Sequence, residues 1–152
     1  MPGLDPFDLA RFVTAQEPVI GAVLAELREG RKRTHWMWFV FPQLRGLGRS
    51  PMAERYGLAS LDEARAYLGH ELLGSRLEQC AGLVLAAAEP VLHTIFGSPD
   101  DMKFQSSMTV FALAAPEEQN PYKQNLDRWF AGRMDPRSLD LLGLAKQPPA
   151  EP

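Results

Sequence analysis

Two short stretches concentrate the side chains able to do chemistry. Residues 34–49 carry His35, Trp36, Trp38, Gln43, Arg45 and Arg49 around a Gly46-Leu47-Gly48 turn. A histidine titrates near neutral pH and can donate, accept or hold a proton. Tryptophan faces stack on nucleobases, a carboxamide reads an amide or base edge, and arginine forks grip phosphate. This set points to a nucleotide-like or otherwise phosphorylated small molecule. Residues 100–107 carry the second set: Asp100, Asp101, Lys103, Ser106 and Ser107. On a helix Lys103, Ser106 and Ser107 share a face, and a desolvated lysine can activate a serine. For hydrolysis of an N-glycosidic bond, Asp100 or Asp101 would supply the carboxylate that stabilises the oxocarbenium ion. The candidates are therefore His35, Lys103 and Asp100 for proton transfer or charge stabilisation. Trp36, Trp38, Gln43, Arg45, Arg49, Ser106 and Ser107 are the candidates for binding.

Each residue also has a plainer role open to it. The six-residue apolar run Trp36–Phe41 suits a core anchor, since burying aromatics dominates core energetics. A histidine beside aromatics serves equally as a hydrogen-bonded structural group. Paired aspartates at a helix start are favoured by the helix dipole alone. Ser98 would cap that helix, while the serines satisfy buried neighbours. With the run as anchor, its rim becomes the site: His35 at one end, and Gln43, Arg45 and Arg49 at the other, facing Lys103.

The chain lacks a Gly-x-x-x-x-Gly-Lys-Ser/Thr loop, a Gly-x-Gly-x-x-Gly turn and a His-Glu-x-x-His pair. His35, His70 and His93 have no metal-like spacing, so neither a metal nor a cofactor is implied. Cys80 is the one cysteine and cannot form an intramolecular disulfide. Net charge is −3, yet Arg28, Arg31, Lys32, Arg33, Arg45, Arg49 and Arg55 face only Glu29 and Glu54 between residues 28 and 55. A confined basic patch on an acidic chain suits a small anion better than a long polyanion, which argues against nucleic acid. The longest apolar run, residues 83–88, is far short of the roughly 20 residues that span a bilayer. Without a signal-like start either, a cytoplasmic, membrane-free protein is expected.

The elements that must position these residues are helical. Asp5-Pro6 reads as a first helix start, with Leu9, Phe12 and Val13 on its apolar face and Pro18 ending it. Ile20, Val23, Leu24 and Leu27 predict a second helix, closed by Gly30 and the basic triplet 31–33. A short helix around residues 36–41, a loop over 43–51 and a helix from Ser50-Pro51 to Tyr56 follow. Ser60 and Glu63 form a capping box for a helix to about Leu68. Helices over 71–88, up to Phe96, from Ser98-Pro99 to Ala114, over 122–131 and from Asp135-Pro136 to about Leu144 complete the chain. The helix before Ala114 is apolar round much of its circumference and should be central. The expectation is an all-α single compact domain over residues 1–146, of eight or nine mostly short helices without a substantial sheet, and a disordered tail at 147–152.

Four blocks carry a resemblance: His35–Gln43, Gly46–Ser50, Leu73–Leu77 and Phe96–Phe111. They resemble a bacterial family of uncharacterised conserved hypothetical proteins, a domain of unknown function often mislabelled calpastatin. The resemblance spans roughly residues 5–144 and implies a compact helical domain with no established activity. The calpastatin label is discounted, because that inhibitor is a disordered repeat protein and this chain has neither property. A fainter likeness, through architecture and Lys103-Phe104, is to the NADAR/YbiA-like N-glycosidases acting on ADP-ribosyl or ribosyl-phosphate compounds; their glutamate-histidine helix motif is not evident here. Three functions stay open: a domain binding or processing a phosphorylated small molecule, such an N-glycosidase, or a non-catalytic helical module for a protein or nucleic-acid partner.

Overall fold

Local start signals place most of the helices. The computed structural model describes residues 4–144, which form ten α-helices and no strand beyond an isolated Leu44–Leu58 bridge. They run in the order α1 Ala10–Gln16, α2 Ile20–Glu29, α3 Met37–Val40, α4 Pro51–Tyr56 and α5 Leu61–Gly69. Then come α6 Glu71–Leu85, α7 Leu92–Phe96, α8 Asp100–Ala114, α9 Pro121–Phe130 and α10 Pro136–Leu141. Each of the ten corresponds to a segment read as helical from the sequence, so the expected count of eight or nine is too low. The predicted tail lies outside the described residues.

Ser50, Asn120 and Asp135 each accept an N–H three residues on and precede a proline at the first helical position. Two starts differ from expectation. Asp5 caps from a distance, accepting the N–H groups of Leu9 (2.7 Å) and Ala10 (2.9 Å), so α1 begins at Ala10 and Asp8 takes a positive φ of 54°. Ser98 does not cap α8, which Pro99 precedes after a cis peptide bond. The box at Ser60 is also modified. Ser60 accepts the Glu63 N–H, but Glu63 accepts from the N–H of Ala59 (2.8 Å), and its second oxygen meets Arg11 (2.9 Å).

Helix α8 is central, as its composition predicts. Eight of its residues are buried, and it packs against α5, α7, α9 and α10. Helix α6 turns Leu73, Leu77, Cys80 and Val84 inward against α2, α5 and α9. A Cβ at Gly74 would lie 2.2 Å from the Leu68 carbonyl oxygen, so only glycine lets α6 start against the end of α5. One continuous apolar core runs from Leu9 to Leu126.

Buried polar groups tie the segment carrying the aromatic run, and the end of α4 after it, to this core. Glu26, on α2, accepts from the Trp36 indole (2.9 Å), the Thr34 hydroxyl (2.6 Å) and the N–H groups of Arg33 (2.8 Å) and Thr34 (3.2 Å). Gln16 on α1 donates to the Phe39 carbonyl (2.7 Å) and the Tyr67 hydroxyl (3.0 Å). The Arg11 guanidinium donates to the carbonyls of Phe7, Asp8, Arg55 and Gly57, binding α1 to the end of α4. The segment before and through α3 is thus held at both ends by groups well upstream in sequence.

Candidate functional site

A recess opens where α3, the loop after it, α4 and the first turn of α8 meet. Met37, Trp38, Phe41, Gln43, Ala53, Tyr56, Gly57 and Lys103 line it. Met37, Phe41 and Tyr56 are buried along it, and Gln43 and Lys103 are its carboxamide and cationic residues. The enclosed volume is about 10 Å³, room for roughly one water. Gly57 shapes one wall: a Cβ there would stand 2.6 Å from Arg45 Cα, so a side chain would push the loop off α4.

Charge and aromatic surface alternate beside the recess. The Lys103 ammonium stands 5.3 Å from the centre of the Trp38 ring, within cation–π range, and 3.8 Å from Asp100. Asp100 makes its tighter pair with Lys32 at 2.9 Å, and Lys32 lies 5.1 Å from the Trp36 ring centre. Asp101, next along α8, pairs with His93 at 3.1 Å. The Gln43 side chain makes no hydrogen bond among the described residues, although its backbone carbonyl accepts from Leu58. A half-buried carboxamide with both functions open and a lysine in a loose pair can exchange those positions for a ligand.

Of the residues singled out in the sequence, Trp38, Gln43 and Lys103 meet at the recess, and Asp100 sits behind Lys103. The others go elsewhere. Trp36 is 1% exposed with its indole N–H spent on Glu26, so it offers no stacking face. Arg45 turns back onto the carbonyls of Glu54 and Gly57 (both 3.1 Å), serving the open end of α4. His35 and Arg49 are exposed and outside the recess lining. Ser106 donates to Asp135 (3.0 Å) and to the Met102 carbonyl, while Ser107 is wholly buried with no hydrogen-bond partner among the described residues. Neither serine is bonded to Lys103, so the geometry holds no lysine-activated nucleophile. Sequence reasoning missed Tyr56 and Lys32. Tyr56 reaches the recess because α4 folds back over α3, and nothing local signals that; Lys32 was visible only as one cation of a triplet.

Buried ionisable groups elsewhere are structural. Burial would raise the Glu26 carboxyl, but the hydrogen bonds from Thr34, Arg33 and Trp36 outweigh it and hold the pKa at about 2. Burial pushes the Cys80 thiol up to about 12, against a small lowering by Arg76. Among the described residues no cluster of His, Cys, Asp and Glu could hold a metal ion, and no helix is long and apolar enough to cross a membrane.

Residues 6–142 match the family described as protein of unknown function (DUF1810). The chain belongs to the DUF1810 family. The resemblance read from its aromatic and Phe96–Phe111 blocks is thereby borne out, as is the all-α fold. This DUF1810 chain is also similar to the crystal structure of the conserved hypothetical protein Rv1873 from Mycobacterium tuberculosis. The two are 56% identical with a TM-score of 0.89, over 91% of this chain and 99% of that one. Among curated proteins none matches the sequence. The family description assigns no activity, so any functional reading of this DUF1810 chain rests on its own geometry.

Proposed function

We propose that the recess at Trp38, Gln43 and Lys103 is the binding site for a small molecule with an anionic head, of the nucleotide or sugar-phosphate class. The observation that carries this reading is an unpartnered carboxamide and a loosely paired ammonium lining one apolar recess beside a half-buried tryptophan. The anion would take Lys103 from Asp100; a partly exposed pair at 3.8 Å contributes little, so the exchange costs little. Gln43 would read an amide or base edge, and Trp38 would carry the flat part of the ligand once the lysine leaves its face. Only the tip of a ligand enters a recess of about 10 Å³, so most of it would lie across the mouth.

We favour binding over bond cleavage. An N-glycosidase needs a carboxylate beside the reacting carbon, and Asp100 is clamped at 2.9 Å by Lys32 and is not part of the recess lining. His35 is exposed and outside that lining.

Thermal unfolding with nucleotides, ADP-ribose and sugar phosphates tests the reading. A ligand at 100 times its Kd should stabilise the fold by about 2.7 kcal/mol, a rise of several degrees in Tm. Lys103→Met and Gln43→Leu should each remove most of that rise while leaving the unliganded Tm nearly unchanged. The proposal is overturned if none of these compounds raises Tm, or if both variants keep the full response.

A further inference from the structure

A second concavity lies on the opposite reach of α8, where the end of that helix meets α5, α6 and the start of α9. Its volume is about 770 Å³, within the roughly 300–1,000 Å³ typical of small-molecule sites. Tyr122 stands in its wall. The residue is only 4% exposed, its ring packs against Phe111 at 5.9 Å, and its hydroxyl makes no hydrogen bond among the described residues. That hydroxyl is nevertheless not among the sealed, unpartnered polar atoms, so it opens into the concavity it lines. A buried phenol normally finds a partner for its hydroxyl, and here the space for one is the groove.

The surroundings are negative. Glu71, Glu78 and Glu117 line the groove against the single full cation Arg65, which is itself paired with Asp62. The C-terminal end of α8 borders it too, with the carbonyls of Leu113 and Ala114 accepting no hydrogen bond among the described residues and Pro116 unable to supply a donor. A helix of this length carries about half a negative charge at that end. Burial, and then Glu78 and Glu117, raise the Tyr122 hydroxyl above its ordinary range, so it stays a neutral hydrogen-bonding group. His70 also lines the groove, but its Nδ1 accepts the N–H groups of Leu72 and Leu73 (both 3.2 Å) at the start of α6.

We propose that this groove is a binding site for a small cationic amine, an ammonium or guanidinium on an aliphatic body. The charged head would donate to the Tyr122 hydroxyl between Glu78 and Glu117, and the aliphatic part would lie on Leu113 and Pro116. The site is independent of the recess at Lys103, which selects the opposite charge.

Backbone amide NMR with agmatine and putrescine as probes, and uncharged N-butylurea and anionic succinate as controls, tests this. Both amines should shift resonances of Ser75, Ala115 and Tyr122 saturably, and more weakly as salt rises, while the controls leave them unmoved. Tyr122→Phe keeps the ring in the core and should weaken amine binding at least threefold. Glu78→Gln, an exposed change that poses no risk to folding, should do the same. The proposal fails if neither amine moves these resonances up to millimolar concentration, if succinate or butylurea moves them as well as the amines do, or if both variants bind like the parent chain.

Discussion

Glu26 is the residue on which the aromatic segment turns. Its four accepted hydrogen bonds draw residues 33–36 onto α2 and fix Trp36 facing inward. Because its folded pKa is about 2 against an ordinary 4.5, its contribution to stability is complete above pH 4.5 and is lost as pH falls toward 2. In that window the unfolded chain binds the proton that the folded one refuses, so stability rises with pH. A shift of this size corresponds to about 3 kcal/mol. Glu26→Gln should therefore lower stability at pH 7 by about 2–3 kcal/mol, and the gap to the parent should shrink below pH 4. Urea unfolding at a series of pH values measures it, and a gap independent of pH would disprove the role. Arg11 is a second such residue. Its replacement by methionine leaves Glu63 buried without its cation and the Phe7 and Arg55 carbonyls without a donor, an expected loss of about 3–5 kcal/mol.

The helices meet through contacts that fix where each begins and ends. Gly74 lets α6 start against the Leu68 carbonyl in the last turn of α5, and Gly74→Ala puts a methyl within 2.2 Å of backbone that cannot rotate away. Such overpacking should cost at least about 1–3 kcal/mol, read as a fall in Tm. The opposite sign is expected at the end of α9. Ala131 takes a left-handed φ of 56° on the surface, so Ala131→Gly should relieve strain and raise stability by up to about 1 kcal/mol. Helix α10 is held by Asp135, whose carboxylate accepts from Ser106, from the Ser138 hydroxyl (2.6 Å) and from the Ser138 N–H. That network accounts for Ser106, which anchors the next element instead of bonding to Lys103.

At the scale of the whole molecule, one apolar core joins the helices. Cys80 reports on it. The thiol is wholly inaccessible and its pKa is pushed up to about 12, so the native chain presents neither access nor thiolate. Alkylation by iodoacetamide at pH 8 should proceed only through unfolding. Its rate should follow global stability, with Glu26→Gln accelerating it. Fast labelling of the parent chain, unaffected by that variant, would contradict a closed core. The same unit presents two concavities of opposite character at opposite reaches of α8, cationic at its start and anionic at its end. Asp100 and Asp101 match the positive end of the α8 dipole, and the Leu113 and Ala114 carbonyls at its negative end accept no hydrogen bond among the described residues.

The sequence alone determined the helical class, the breaks at Pro18, Phe41-Pro42, Gly57 and Gly97, and the starts at Ser50, Ser60 and Asp135, because caps, prolines and glycines act within a few residues of themselves. It also marked α8 as central and the 34–49 stretch as an anchor with a polar rim. Which rim residues line the recess was decided only by tertiary structure. Trp36 turns inward because of a carboxylate ten residues earlier, Arg45 turns back because α4 ends beside it, and Lys103 reaches Trp38 from a helix more than sixty positions away. The Tyr122 groove left no local mark, since it arises only where the ends of four helices come together. Side-chain direction depends on packing between distant segments, and spacing along one segment does not encode it.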